Sequence, residues 1–248
     1  MKVYHIAYEP SYKSLDIHFW TKCNLGCLGC YTNYEKLDFG LMDDPVSEIA
    51  QKPQLETEPE RFLSLEEVME RLKGLEIKYA LFMGTEAALD PELPVLAKAL
   101  HEKFNSYNII LTNGLKMTDM EHIDEAIFSI KAFSDDIHQK YTGRSNKKIL
   151  ENFRKMARLV KKLQAETVFI PDYIDAQEVE RVARFVASVD KNITFRVDAY
   201  FPIPGCPWRA ATKEEVEVAA ELARKYLNNV TCLTLDLKRI GDKAVKIF

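Results

Sequence analysis

The strongest constraint on the fold is an alternation. Short runs rich in Val, Ile, Leu, Phe and Tyr recur along the chain, each followed by a segment of helical character, which is the pattern of parallel βα units. The predicted strands run from Leu15 to Trp20, Tyr79 to Met83, Tyr107 to Leu111, Ala126 to Lys131, Thr167 to Ile170 and Ile193 to Tyr200. Helix starts are written between them. Ser64 and Glu67 form the two ends of a capping box, Asp175 reads as an N-cap, and a further capped helix begins after Thr212. Ile149, Phe153, Met156, Leu159, Val160 and Leu163 follow helical spacing and predict a helix running to Leu163. Six such units predict an α/β fold, a partial (β/α)6 TIM-like barrel. The tail from Val230 to Leu237 alternates apolar and polar residues and predicts a C-terminal extra strand.

A chain of 248 residues fits one large domain, 1–248, with an N-terminal extension over 1–14 and a C-terminal extension over 229–248. The irregular acidic stretch 36–61 is too long for an ordinary βα connection and reads as a loop or lid. Lys and Arg total 34 against 38 Asp and Glu, a net charge of −4, so no basic field draws the chain to nucleic acid or anionic membranes. No run approaches the roughly 20 apolar residues of a membrane span, and no long apolar run follows Lys2. The expectation is a cytoplasmic protein.

Three of the five cysteines, Cys23, Cys27 and Cys30, crowd into the loop after the first predicted strand, while Cys206 and Cys232 stand far downstream. This is no disulfide framework, and clustered cysteines in such a chain bind metal or do redox chemistry. A structural zinc takes four protein ligands, so a zinc-stabilised interaction protein would have to recruit a distant fourth. Three thiolates suit a cubane with one iron left open. Gly26 and Gly29 let backbone amides approach the sulfides.

The Cys-x3-Cys-x2-Cys run resembles the defining motif of the radical S-adenosylmethionine superfamily. The resemblance implies a radical SAM core carrying a [4Fe-4S] cluster on Cys23, Cys27 and Cys30, with S-adenosyl-L-methionine as the second cofactor. It implies cleavage to a 5′-deoxyadenosyl radical that abstracts a substrate hydrogen, and a low-potential electron donor of ferredoxin or flavodoxin type. Gly84-Thr85-Glu86 is similar to the family's stretch that holds the methionine amino group, although Ala87 follows where proline is usual. Before the third cysteine the family is usually aromatic, and here stands Gly29.

Ser129-Ile130-Lys131, followed by Asp136, His138, Tyr141, Thr142, Gly143 and Asn146, resembles the pyruvate formate-lyase activating enzymes, with Ser129 in place of an aspartate. The Ile170 to Asp175 stretch resembles the same group. Leu111 replaces the aspartate that helps place a monovalent cation there. The resemblance therefore implies cofactor-binding roles for Gly84, Thr85, Glu86, Ser129 and Lys131, and Asn113, in the turn after the third predicted strand, is a candidate for the same role with turn chemistry alone as the alternative. Arg196 and Asp198, charged residues on one face of the sixth predicted strand, are further candidates for an interior cofactor, a solvated or mutually paired face being the alternative. Cys206 is a candidate substrate-side thiol or hydrogen donor, with simple packing as the alternative, and His18 reads as a satisfied core histidine. The implied function is an oxidoreductase that activates a glycyl-radical protein, the alternative being radical modification of a small molecule, peptide or cofactor precursor.

Overall fold

Every strand of the computed structural model, which describes residues 1–52, 54–236 and 240–248, enters one sheet. In chain order the elements are β1 (Val3–Glu9), β2 (Ser14–Phe19), α1 (Pro45–Ala50), α2 (Leu65–Arg71), β3 (Tyr79–Gly84), α3 (Leu93–Phe104), β4 (Tyr107–Thr112) and β5 (Glu125–Ser129). They continue with α4 (Asp135–Thr142), α5 (Lys147–Met156), β6 (Lys162–Phe169), α6 (Ala176–Val189), β7 (Thr194–Ala199), α7 (Lys213–Arg224), β8 (Val230–Leu233) and β9 (Val245–Lys246). The strand order is β8-β7-β6-β5-β4-β3-β2-β1-β9, so the sheet has two edges and stays open. From β2 to β8 all pairings are parallel, while β1 pairs antiparallel with β2 on one side and with β9 on the other.

Side chains alternate across each strand, and the parallel register carries that alternation across the sheet. Ala80, Phe82, Ile110, Ala126, Phe128, Phe195 and Val197 face the helices and are buried. Phe128 meets Phe153 of α5 edge-on at 5.1 Å, and Phe153 meets Phe185 of α6 at 5.5 Å. Burial of each ring contributes on the order of 2–3 kcal/mol. The opposite face carries Asp16, His18, Met83, Leu111, Ser129, Glu166, Arg196 and Asp198, a set in which charged and apolar side chains are mixed.

The expected α/β barrel segment stands, with four adjustments. The segment 1–14 is not a mere extension, since β1 pairs with β2 along its length. The helix predicted to reach Leu163 ends at Met156: Lys162 pairs with Glu125 of β5, and Leu159, read as part of the apolar stripe, is 57% exposed. Sheet hydrogen bonds win over helical spacing there. The stretch 36–61 holds α1 and a short turn of helix at Phe39–Leu41, and it is tied back by Tyr4 Oη donating to Lys36 O (2.5 Å) and Glu56 N–H donating to Asn33 O (2.7 Å). The tail strand ends at Leu233 and joins β7 in parallel; Leu237, its predicted end, lies outside the described residues. The capping box at Ser64, the Asp175 cap and the capping box at Thr212 all form as read.

Candidate active site

The three clustered cysteines leave the end of β2 on a loop that α4 holds in place. Gly26 N–H donates to Thr142 O (2.8 Å) and Leu28 N–H to Tyr141 O (3.0 Å), so the last carbonyls of that helix are answered by the loop. Cys23, Cys27 and Cys30 are half-buried and none is in a disulfide. Cys27 feels the charges of both other thiols, and Cys23 feels that of Cys30. Burial pushes the Cys23 thiol up to about 11, opposed by the Leu25 N–H. Burial likewise pushes Cys27 up to about 12, opposed by the Lys131 ammonium. Among the described residues no three His, Cys, Asp or Glu side chains already converge on one point as a metal site. What the loop supplies is a set of three soft donors on one glycine-bearing turn, the donor chemistry that suits iron–sulfur ligation.

Beside this loop the end of β3 is fastened to those of β2 and β4. Thr85 N–H donates to Phe19 O (3.0 Å), and Thr21 N–H to Thr85 Oγ1 (2.9 Å). Gly84 has φ +108°, and an added Cβ would sit 2.4 Å from Phe19 O, so the approach of β3 to β2 at this point requires glycine. The Glu86 carboxylate is turned inward: it accepts from Thr112 Oγ1 (2.6 Å), Asn113 N–H (2.8 Å) and Ala88 N–H (3.3 Å). Burial raises its pKa, and these three donors oppose the rise. Asn113 in turn points its amide at Cys23 Sγ (3.5 Å) and Asn24 Oδ1 (2.8 Å).

Across the rim stands a second polar group. Ser129 donates to Glu166 Oε1, Arg196 Nη2 donates to Glu166 Oε2 (2.6 Å), and Arg196 forks onto Asp198 through Nε (2.6 Å) and Nη2 (3.0 Å). Burial and the Glu166 charge raise Asp198, with Arg196 opposing. Lys131 links the two groups. Burial pulls its ammonium down, but Cys27, Glu166, Cys30 and Asp198 more than offset this and hold it above the ordinary lysine range.

The sequence-predicted residues thus fall into two sets on one rim: Cys23, Gly84, Thr85, Glu86 and Asn113 on one side, Ser129, Arg196 and Asp198 on the other, with Lys131 between. Cys206 also reaches the rim, its thiol donating to Leu28 O (3.1 Å). Cys232 stands apart, near Glu217 and Arg224. His18 is satisfied as expected, by Asp38 Oδ2 at 2.8 Å.

Two features escaped sequence reasoning. Glu166, inside a strand, becomes visible only when register sets it between Ser129 and Arg196. Tyr141 and Tyr200 crowd Gly29, where a Cβ would meet Tyr141 Oη at 2.8 Å and the Tyr200 ring at 3.0 Å. The space that an aromatic at position 29 would claim is therefore filled from α4 and from the end of β7. Tyr31, which the sequence offered as a residue lining the site or simply as aromatic packing, is raised in pKa by burial and then by the charges of Cys30, Glu166 and Asp38.

The family model for the radical SAM superfamily matches residues 17–186, and the chain belongs to that superfamily. Its members use a [4Fe-4S] cluster and S-adenosylmethionine. A protein of Methanocaldococcus jannaschii named "Putative glycyl-radical enzyme activating enzyme" is 29% identical over 183 residues, covering 71% of this chain and 70% of that protein. Among solved structures, TYW1 with a lysine-pyruvate adduct bound superposes with a TM-score of 0.62 at 15% identity, over 89% of this chain and 76% of that one. A domain of pyruvate-formate lyase-activating enzyme from Bacteroides vulgatus gives 0.51 at 18% identity, over 61% of this chain and 96% of that one. These structural likenesses concern the fold. Among the described residues no helix is long and apolar enough to cross a membrane.

Proposed function

We propose that the chain holds a [4Fe-4S] cluster on Cys23, Cys27 and Cys30 and abstracts a hydrogen atom from a substrate presented to the inner face of the sheet. The observation that carries this reading is the set of three free thiols on the β2-exit loop, in a chain of the radical SAM superfamily. Held on Cys23, Cys27 and Cys30, such a cluster would with S-adenosylmethionine supply one-electron, hydrogen-abstracting chemistry.

The protein's own residues bind and orient. Asn113 offers an N–H to the Cys23 sulfur, which favours its thiolate, and Lys131 does the same for Cys27 by charge. Gly84 and Thr85 form a ledge of backbone beside the loop, kept narrow by the Glu86 brace, where an amino acid's polar end can lie. Ser129, Glu166, Arg196 and Asp198 offer hydroxyl, carboxylate and guanidinium groups for sugar and carboxylate. Tyr141, Tyr200 and Trp208 wall the loop from water.

At the finer level the substrate is a glycine of a partner protein, a reading supported by likeness to the M. jannaschii relative. Ser129 and Leu111 mark where this chain departs from the activating-enzyme pattern.

Anaerobic reconstitution with iron and sulfide tests the chemistry. A brown protein that releases 5′-deoxyadenosine on reduction, that keeps its colour in Cys206→Ala and loses it in Cys27→Ala, supports the reading. A colourless protein carrying one zinc sinks it. Mixing with glycyl-radical proteins tests the finer claim through the glycyl doublet in electron paramagnetic resonance. Its absence while 5′-deoxyadenosine is still released removes that claim alone.

A further inference from the structure

The thiol loop presents a surface to solvent as well as a side to the interior. Leu28, between Cys27 and Cys30, is 54% exposed, and Gly26 is exposed as well. Inward, the loop meets the Asn113 amide and the Lys131 charge; outward, Leu28 N–H and Gly26 N–H rest on the last carbonyls of α4. Leu28 thus stands in solvent at the end of a helix, one residue from a ligating thiol.

Four exposed cations belong to the elements that meet this loop. Lys22 directly precedes Cys23. Lys140 precedes Tyr141, whose carbonyl accepts from Leu28 N–H (3.0 Å). Arg144 donates its N–H to Thr142 Oγ1 (3.2 Å), and the carbonyl of Thr142 accepts from Gly26 N–H (2.8 Å). Lys116 follows Asn113, whose amide donates to Asn24 Oδ1 of the loop (2.8 Å). Among the described residues none of these four side chains makes an ion pair. On α5, α7 and the tail, by contrast, Lys148 and Lys155 are matched by Glu151, Lys213 by Asp236 and Lys243 by Asp43. The acidic residues of α4 lie in its first turn, where Asp135 is taken up by Ser145 Oγ (2.8 Å) and Asn146 N–H (2.9 Å) and Asp136 lies toward Tyr173.

In a chain of net charge −4, unmatched cations gathered about one exposed apolar side chain make a local field of the opposite sign. Exposed ion pairs contribute little to stability, so leaving these four unmatched costs the fold little and keeps their field for a partner. The patch is small. One leucine and four cations suit a transient encounter below about 1,200 Å², the class of redox encounters, rather than the roughly 1,600 Å² of a stable complex. Position selects the partner. A substrate has to reach the inner face of the sheet, whereas an electron has only to reach the thiol loop, and the chemistry proposed above takes one electron from outside the chain.

We propose that Leu28, with Lys22, Lys116, Lys140 and Arg144 about it, is the docking surface for a small acidic iron–sulfur carrier protein that reduces the centre on the thiol loop. The proposal rests on the reading above that Cys23, Cys27 and Cys30 hold a cluster. One electron leaves the carrier's reduced centre, which is oxidised, and enters the centre held by the three cysteines, which is reduced; no bond forms or breaks. Charge attraction steers the carrier, and the leucine gives the contact its apolar core.

Calorimetric titration of the reconstituted full chain with an acidic ferredoxin, and stopped-flow electron transfer from the same ferredoxin when reduced, test it. Saturable binding that weakens with added salt, and that falls about tenfold or more in the double variant Lys140→Glu/Arg144→Glu, is the expected result, the scale of electrostatic steering. Leu28→Ser is expected to weaken binding while leaving its salt dependence in place. The methyl viologen radical cation needs no docking surface and is expected to reduce parent and variants equally well, which also shows that the variants are folded and loaded. Absence of saturable binding, binding indifferent to salt, unchanged binding in the double variant, or slower reduction of that variant by viologen overturns the proposal. A short RNA duplex that binds more tightly than the ferredoxin and is lost in the same double variant also overturns it, assigning the cations to phosphates. A chain that viologen drives to release 5′-deoxyadenosine but that binds no ferredoxin loses only this surface, and one that binds ferredoxin but releases none loses only the radical reading.

Discussion

The side-chain amide of Asn113 lies 3.5 Å from the sulfur of Cys23, ninety positions away in the chain, while its backbone N–H is fixed to Glu86. One residue thus ties the end of β4 to the thiol loop at the end of β2. Hydrogen bonds to ligating sulfurs set cluster potential, and outer partners of metal ligands are worth about 10–100-fold in affinity or activity. Asn113→Ala is expected to retain the fold and to lower 5′-deoxyadenosine release about tenfold, with a shifted cluster potential in redox titration. An unchanged potential would show that the contact does not reach the sulfur electronically.

Glu86 braces three donors at once, so its removal strands all of them in a buried setting. Glu86→Ala should cost about 3 kcal/mol in urea unfolding, and Glu86→Gln roughly half of that, because the amide keeps one acceptor oxygen.

Gly29 leaves room for Tyr141 and Tyr200 rather than for a backbone twist, since only contact distances forbid a side chain there. Gly29→Ala is expected to destabilise by about 1–3 kcal/mol through overpacking. Adding Tyr141→Phe, which removes the hydroxyl met at 2.8 Å, should recover part of that loss. A double-mutant cycle with no coupling would refute the crowding argument.

Burial and the neighbouring His18 lower His5 to about 4, against 6.5 for the exposed imidazole, with Phe248 O and Asp38 opposing and Lys246 adding slightly. Between those values the unfolded chain binds more protons than the folded one, so this contribution is complete above pH 6.5 and is lost as the pH falls toward 4. Its full span is about 3 kcal/mol. Urea unfolding from pH 7 to pH 4 should show a steeper decline in the parent than in His5→Phe.

The sequence made the strand ends legible because parallel sheets concentrate apolar runs and place polar motifs just beyond them. Cys23 to Cys30, Gly84 to Glu86 and Asn113 were found in this way. Lys162 and Leu163 were misread because a strand buried on one face and a helix stripe place apolar residues similarly over so short a run. The helix α4 went unread because its polar residues, Asp135 to Lys140, carry little periodic signal until the thiol loop caps it. Glu166, Asp16 and His5 were beyond a linear reading altogether, since what distinguishes them is their cross-strand neighbours.

The two hydrogen bonds from the thiol loop to the carbonyls of Tyr141 and Thr142, at the end of α4, have a consequence for assembly. A segment already clamped at Gly26 and Leu28 surrenders less chain entropy when it gains its inorganic core, so iron uptake becomes a local step on a finished scaffold rather than a folding event. Loosening that clamp would then be felt first as slow maturation, long before the sheet itself gave way.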